Sequence, residues 1–147
     1  MTKAIYFDMD GTIANLYGVE NWLDMLINSD PTPYKLARPL VNMNTLARLL
    51  NRLQAEGWHI GVVSWLSKNG TASYNEAVTA TKERWLNRHL RSVKWNEIKI
   101  VPYGTPKQEV VEMVGGVLFD DEERNRVNWN GVAYDVENII EILKGMR

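Results

Sequence analysis

The chain has 147 residues, enough for one domain that buries about 68–70% of its unfolded surface and too few to suggest two. Seventeen Lys and Arg stand against eighteen Asp and Glu, a balance that gives no support to a nucleic-acid coat or a membrane-surface binder. Cysteine is absent, which excludes a disulfide framework and a thiolate metal site and suits a reducing compartment.

Residues 4–7 (Ala4, Ile5, Tyr6, Phe7) form an apolar run of strand length that ends in Asp8 and Asp10, one residue apart, followed by Gly11 and Thr12. The start goes straight into this strand without a charged leader, and no run reaches the 18 or so apolar residues of a membrane span. The expectation is a cytoplasmic protein. Trp22, Leu23, Leu26 and Ile27 have helical spacing within residues 19–27, and the turn formers and two prolines of residues 28–33 must interrupt that helix. Residues 15–39 thus read as a small cap-like insertion over the acidic strand end, within a single domain spanning residues 1–147. From Asn42 a helix shows Leu46, Leu49, Leu50 and Leu53 on one face, with Gly57 placed to stop it. Residues 58–64 are a buried strand ending in Ser64, and Trp65 opens a polar loop reaching residue 74.

A helix over 75–90 shows Val78, Trp85, Leu86 and Leu90; a strand follows over 98–102. Thr105 and Pro106 open a helix that Gly115 and Gly116 end. Residues 117–121 are a strand terminated by Asp120 and Asp121; Asn130-Gly131 is a turn, 132–134 a strand and 137–144 a closing helix. This alternation predicts an α/β fold: a three-layer Rossmann-like parallel sheet of about five strands, helices on both faces, and a small helical insertion after the first strand.

In a parallel sheet the carboxyl-end loops converge, which brings Asp8, Asp10, Ser64, Asp120 and Asp121 to one crevice, with Lys107 from the start of a helix. Singly, each has a plainer reading: Ser64 satisfies a backbone group, Lys107 is solvated, and paired acids open a polar loop. Together the acids need a cation, since each like-charged pair about 4 Å apart costs on the order of 4 kcal/mol at an effective dielectric near 20. The two histidines lie far from the acids in sequence, so the ligands on offer are oxygens, which favours Mg²⁺ over zinc. A phosphate is the usual remaining partner of such an ion, and Lys107 and Ser64 would complete its surroundings.

This ordered set resembles the haloacid dehalogenase-like superfamily of phosphohydrolases over nearly the whole chain. Its first motif corresponds to Asp8-Met9-Asp10-Gly11-Thr12, its second to Val62-Val63-Ser64, its third to Lys107 and its fourth to Leu118-Phe119-Asp120-Asp121. The resemblance implies that Asp8 is the nucleophile that becomes an aspartyl-phosphate, and that Asp10 protonates the leaving oxygen and then activates water. It implies that Ser64 holds a phosphoryl oxygen, that Lys107 neutralises charge, and that Asp121 contacts Mg²⁺ with Asp120 in support. Asp8 and the backbone carbonyl of Asp10 complete the metal set, and Gly11, Thr12 and Trp65 join Ser64 and Lys107 around the substrate. Lys82 is a rival for the third-motif lysine, with helix-face solvation as its simpler reading.

Within the superfamily the layout is similar to small 5′-nucleotidases acting on deoxyribonucleotides, which implies a nucleoside monophosphate or another small phosphate ester as substrate. Tyr17, Trp22 or Trp65 would then stack on a base and Lys68 or Arg124 touch a phosphate, although six tryptophans in a small domain are mostly packing. His59 and His89 read as structural or exposed. The short insertion leaves the site open or shielded by a second subunit. Asp10 favours a phosphatase over a dehalogenase, and the leading position of the acid pair separates the chain from a receiver domain. A catalytically silent Mg²⁺ or phosphate-binding module and a phosphatase of nucleic-acid ends are the alternatives.

Overall fold

The computed structural model describes residues 2–147. Its elements are β1 (Ala4–Phe7), β2 (Ala14–Asn15), α1 (Trp22–Ile27), α2 (Thr32–Leu36), β3 (Arg38–Pro39), α3 (Met43–Ala55), β4 (His59–Trp65) and α4 (Ala72–His89). They continue with β5 (Glu97–Val101), α5 (Lys107–Val110), β6 (Val117–Phe119), α6 (Glu123–Asn128), β7 (Val132–Tyr134) and α7 (Ile139–Lys144). Single 3-10 turns occupy Leu16–Gly18 and Val136–Asn138.

All four residues of β1 are buried, and they divide by face: Ile5 and Phe7 enter one apolar cluster, Ala4 and Tyr6 another. A strand covered on both sides must be central to its sheet. The sheet indeed runs β5-β4-β1-β6-β7, parallel throughout, as the alternation of elements predicts. Leu46, Leu49, Leu50 and Leu53 of α3, Trp85 and Leu86 of α4, and Ile139 and Leu143 of α7 cover the face of Ile5, Phe7, Ile60 and Val62. Val111 and Trp129 cover the other face, beside Tyr6, Val63 and Leu118.

Strand order reverses at β1, and such a switch opens a crevice beyond the carboxyl ends of the strands. Register decides what lines it. Phe7 pairs with Val62 on one side and Phe119 on the other, so Asp8, Ser64 and Asp120 follow within two residues of a common level.

Several boundaries differ from the predicted ones, each for a local reason. The helix predicted over 19–27 is confined to α1, and the expected interruption is shorter than residues 28–33. Pro33 lies inside α2, in the first turn, where no intrahelical N–H is required of it. β2 and β3 pair antiparallel, Ala14 with Pro39 and Asn15 with Arg38, and so close the base of this segment. The helix predicted from residue 75 starts at Ala72, because the Thr71 side chain accepts from Tyr74 N at 3.2 Å and caps it. α5 stops at Val110, well short of Gly115. There Val111 turns into the core, while Glu112 N donates to the Glu97 carboxylate at 3.3 Å and Met113 N to the Tyr6 hydroxyl at 3.0 Å. α6 was not anticipated at all; with Val127 as its one aliphatic residue, it carries no apolar stripe. Among the described residues no helix is long and apolar enough to cross a membrane.

Candidate active site

The turn after β1 is tight because Gly11 takes a φ of +82°, and a Cβ there would run into the Asp121 carboxylate. The Asp8 and Asp10 side chains on its strand side meet different partners. Lys107 Nζ donates to Asp8 Oδ1 at 2.9 Å and to Asp120 Oδ2 at 2.7 Å. Lys82 Nζ donates to Asp10 Oδ2 at 2.9 Å, to Ser64 Oγ at 2.8 Å and to the Trp65 carbonyl at 2.8 Å. Both lysines are in the site, one for each aspartate.

Lys82 corrects the solvated reading: it is 1% exposed, within 5.1 Å of the centre of the Tyr34 ring. The signal was present, since Lys82 stands four residues from both Val78 and Leu86 on the buried face of α4. Lys107 is equally hidden, at 2%. Burial alone would depress its pKa, but the charges of Asp8 and Asp120 outweigh that and raise it.

Thr12 is buried under the acids. Its hydroxyl lies 3.1 Å from Asp8 Oδ2 and 3.3 Å from Asp121 Oδ1, and Asp121 N donates to it at 3.2 Å. Asp120 is held from α6, by Asn125 Nδ2 on Oδ2 at 3.1 Å and by Arg126 on its backbone carbonyl at 3.1 Å. Sequence reasoning missed Asn125 and Arg126 along with their helix.

Oxygens of Asp8, Asp120 and Asp121 all lie within 4.8 Å of one another. The Asp10 carboxylate stands apart from this cluster, turned to Lys82. Burial, then the charge of Asp8, pushes Asp120 up to about 6 and Asp121 up to about 8. Burial raises Asp10 as well, against the opposing charge of Lys82. Four carboxylates face two ammonium groups, which leaves the charge of one divalent cation to be matched, by protons or by a metal. The donors are all oxygen, so the residues fit Mg²⁺.

A cavity of about 500 Å³ opens over this floor, lined by Asp8, Asp10, Lys107 and Asp121 below and by Tyr17, Trp22, Trp65 and Lys68 among others above. Gly11, Thr12 and Ser64 support the floor without lining the cavity. Arg124 sits over the Trp65 ring at 4.8 Å. The histidines lie elsewhere: His59 Nε2 is 2.8 Å from Glu97 Oε1, and His89 packs on Trp85 at a ring separation of 4.5 Å.

No protein-family model and no curated protein matches the chain. Among solved structures, the chain is similar to the D,D-heptose 1,7-bisphosphate phosphatase of B. bronchiseptica, determined with magnesium and phosphate: 16% identity, TM-score 0.54, over 89% of this chain and 78% of that one. The corresponding phosphatase of Burkholderia thailandensis matches at 16% identity and TM-score 0.54, over 88% of this chain and 74% of that one. The chain therefore has the fold of haloacid dehalogenase-like phosphatases, the superfamily that its motifs resemble.

Proposed function

We propose that the chain is a Mg²⁺-dependent phosphomonoesterase acting through an aspartyl-phosphate, in a single domain whose residues 15–39 form a minimal cap. The observation that carries this reading is the division of the two aspartates: Asp8 on Lys107, Asp10 on Lys82. An acid must hold a proton, and burial raises the pKa of Asp10 against the opposing charge of Lys82, while Asp8 is fixed separately by Lys107.

Asp8 and Asp121 would hold the ion, with Asp120 and the Asp10 carbonyl in support. When bound, Mg²⁺ supplies positive charge that offsets the acids and receives phosphoryl oxygens. The Asp8 carboxylate attacks phosphorus and the ester P–O bond breaks, while the proton on Asp10 passes to the departing oxygen. Asp10, now a carboxylate, takes a proton from the water that attacks the aspartyl-phosphate; phosphate leaves and Asp8 is restored. Lys107 offsets negative charge on Asp8 and the phosphoryl group. Ser64 accepts from Lys82 and keeps its own hydroxyl proton for a phosphoryl oxygen. Thr12 orients Asp8 and Asp121. The nucleoside monophosphates implied by the layout are the first natural esters to assay.

Para-nitrophenyl phosphate with and without Mg²⁺ tests the reaction. Asp8→Asn is expected to lower turnover by about four orders of magnitude or more while circular dichroism stays unchanged. A variant with the parent rate would remove Asp8 as nucleophile; a folded parent protein inactive on every ester tried would leave the silent module.

A further inference from the structure

Above its acidic floor the cavity changes character. Its walls are Trp22, Leu23, Leu26 and Ile27 of α1, with Trp65 and Tyr103 across the strand ends. None of the six residues of α1 is buried, and Leu23 and Ile27 are 53% and 71% exposed. Apolar side chains are thus left in water directly over the site, on a helix of which Leu26 packs against the cluster of Leu16, Tyr34 and Leu66.

Several polar wall groups are already engaged, while the Tyr17 hydroxyl and the Lys68 ammonium make no hydrogen bond among the described residues. The Ser67 and Tyr34 hydroxyls are 2.6 Å apart, Glu122 pairs with Arg124 at 3.1 Å, and Asn125 is on Asp120 at 3.1 Å. Lys68 leans over the Tyr103 ring at 5.9 Å. A sugar phosphate entering here would strip water from several hydroxyls and find Tyr17 and Lys68 as the free partners in exchange. A hydrocarbon would instead cover surface that water now wets.

We infer, resting on the phosphatase reading above, that the substrate is an amphiphilic phosphomonoester, its phosphate on the aspartate and lysine floor and its apolar body along α1. Continuity decides the occupant: one cavity is lined both by Asp8 and Lys107 and by Ile27.

Straight-chain alkyl phosphates from ethyl to octyl have nearly the same leaving group, so kcat/KM along the series reads recognition of the chain alone. It is expected to rise by up to about fourfold per methylene until the cavity is filled, and to exceed that of a hexose 6-phosphate. In a Leu23→Ser, Ile27→Ser double variant, altered only at exposed positions and checked for fold by circular dichroism, the rise should flatten. A flat series in the parent protein, an undiminished rise in the folded variant, or faster turnover of the hexose phosphate overturns the apolar assignment and leaves the phosphatase reading standing. Absence of Mg²⁺-dependent phosphate release from every ester removes both.

Discussion

Lys82 and Lys107 show how much a single ammonium does when it is buried. Each holds one aspartate of the first motif at 2.9 Å, and each is nearly inaccessible to water. Removing either would leave buried acceptors without their donor in a site that already carries an excess of negative charge. Lys82→Met is therefore expected to cost about 3–5 kcal/mol of stability, read by urea denaturation. Its rate loss should be about a hundredfold or more, since Asp10 would lose the group that fixes its direction. Stability equal to the parent's would mean that water replaces the ammonium at these acceptors. The lysine's place was legible from its spacing with Val78 and Leu86, yet a cation on an apolar face of a helix reads at first as an intruder. Only its three acceptors, on Asp10, Ser64 and Trp65, explain it.

At the scale of elements, caps and turns account for where the chain changes direction. Asn42 accepts from Thr45 N at 3.0 Å and opens α3, whose four leucines are the broadest cover on that face of the sheet. Asn42→Ala should destabilise the protein by about 1 kcal/mol, seen as a lower urea midpoint with unchanged slope. An unchanged midpoint would show that water replaces the cap. Elements with an apolar period, β1, α3, β4 and α4, were legible within a few residues. α5 and α6 were not, for opposite reasons. α5 ends early because Glu97 and Tyr6, distant in sequence, take the N–H groups that would have continued it. α6 exists because its polar side chains meet Asp120 and Asp135, partners that no local pattern announces.

For the whole molecule, the acidic cluster links folding to pH and to metal. Asp120 and Asp121 have pKa values of about 6 and about 8 against an ordinary 3.8, so the metal-free folded chain holds their protons more tightly than the unfolded chain does. Their stabilising contribution is complete below an unfolded pKa of about 4 and is lost as pH rises through the folded values. The metal-free Tm should accordingly fall between about pH 5 and pH 8. Mg²⁺ at a hundredfold excess over its Kd should restore about 2.7 kcal/mol, most visibly at the alkaline end, where protons no longer compete. A Tm independent of Mg²⁺ at pH 8 would argue against the metal site.

By itself the sequence determined the class of fold and the inventory of chemistry. Strand and helix periods alternate, and period is a property of neighbours along the chain; acids and hydroxyl stand where strands end, which is also a local fact. Tertiary structure alone decided the pairing of charges, because whether Lys107 meets Asp8 and Lys82 meets Asp10 depends on strand order and register, and these arise only when distant segments pack. It likewise decided what stands over the floor: an apolar run at helical spacing looks the same whether it is pressed into a core or, like α1, left half in water beside a site.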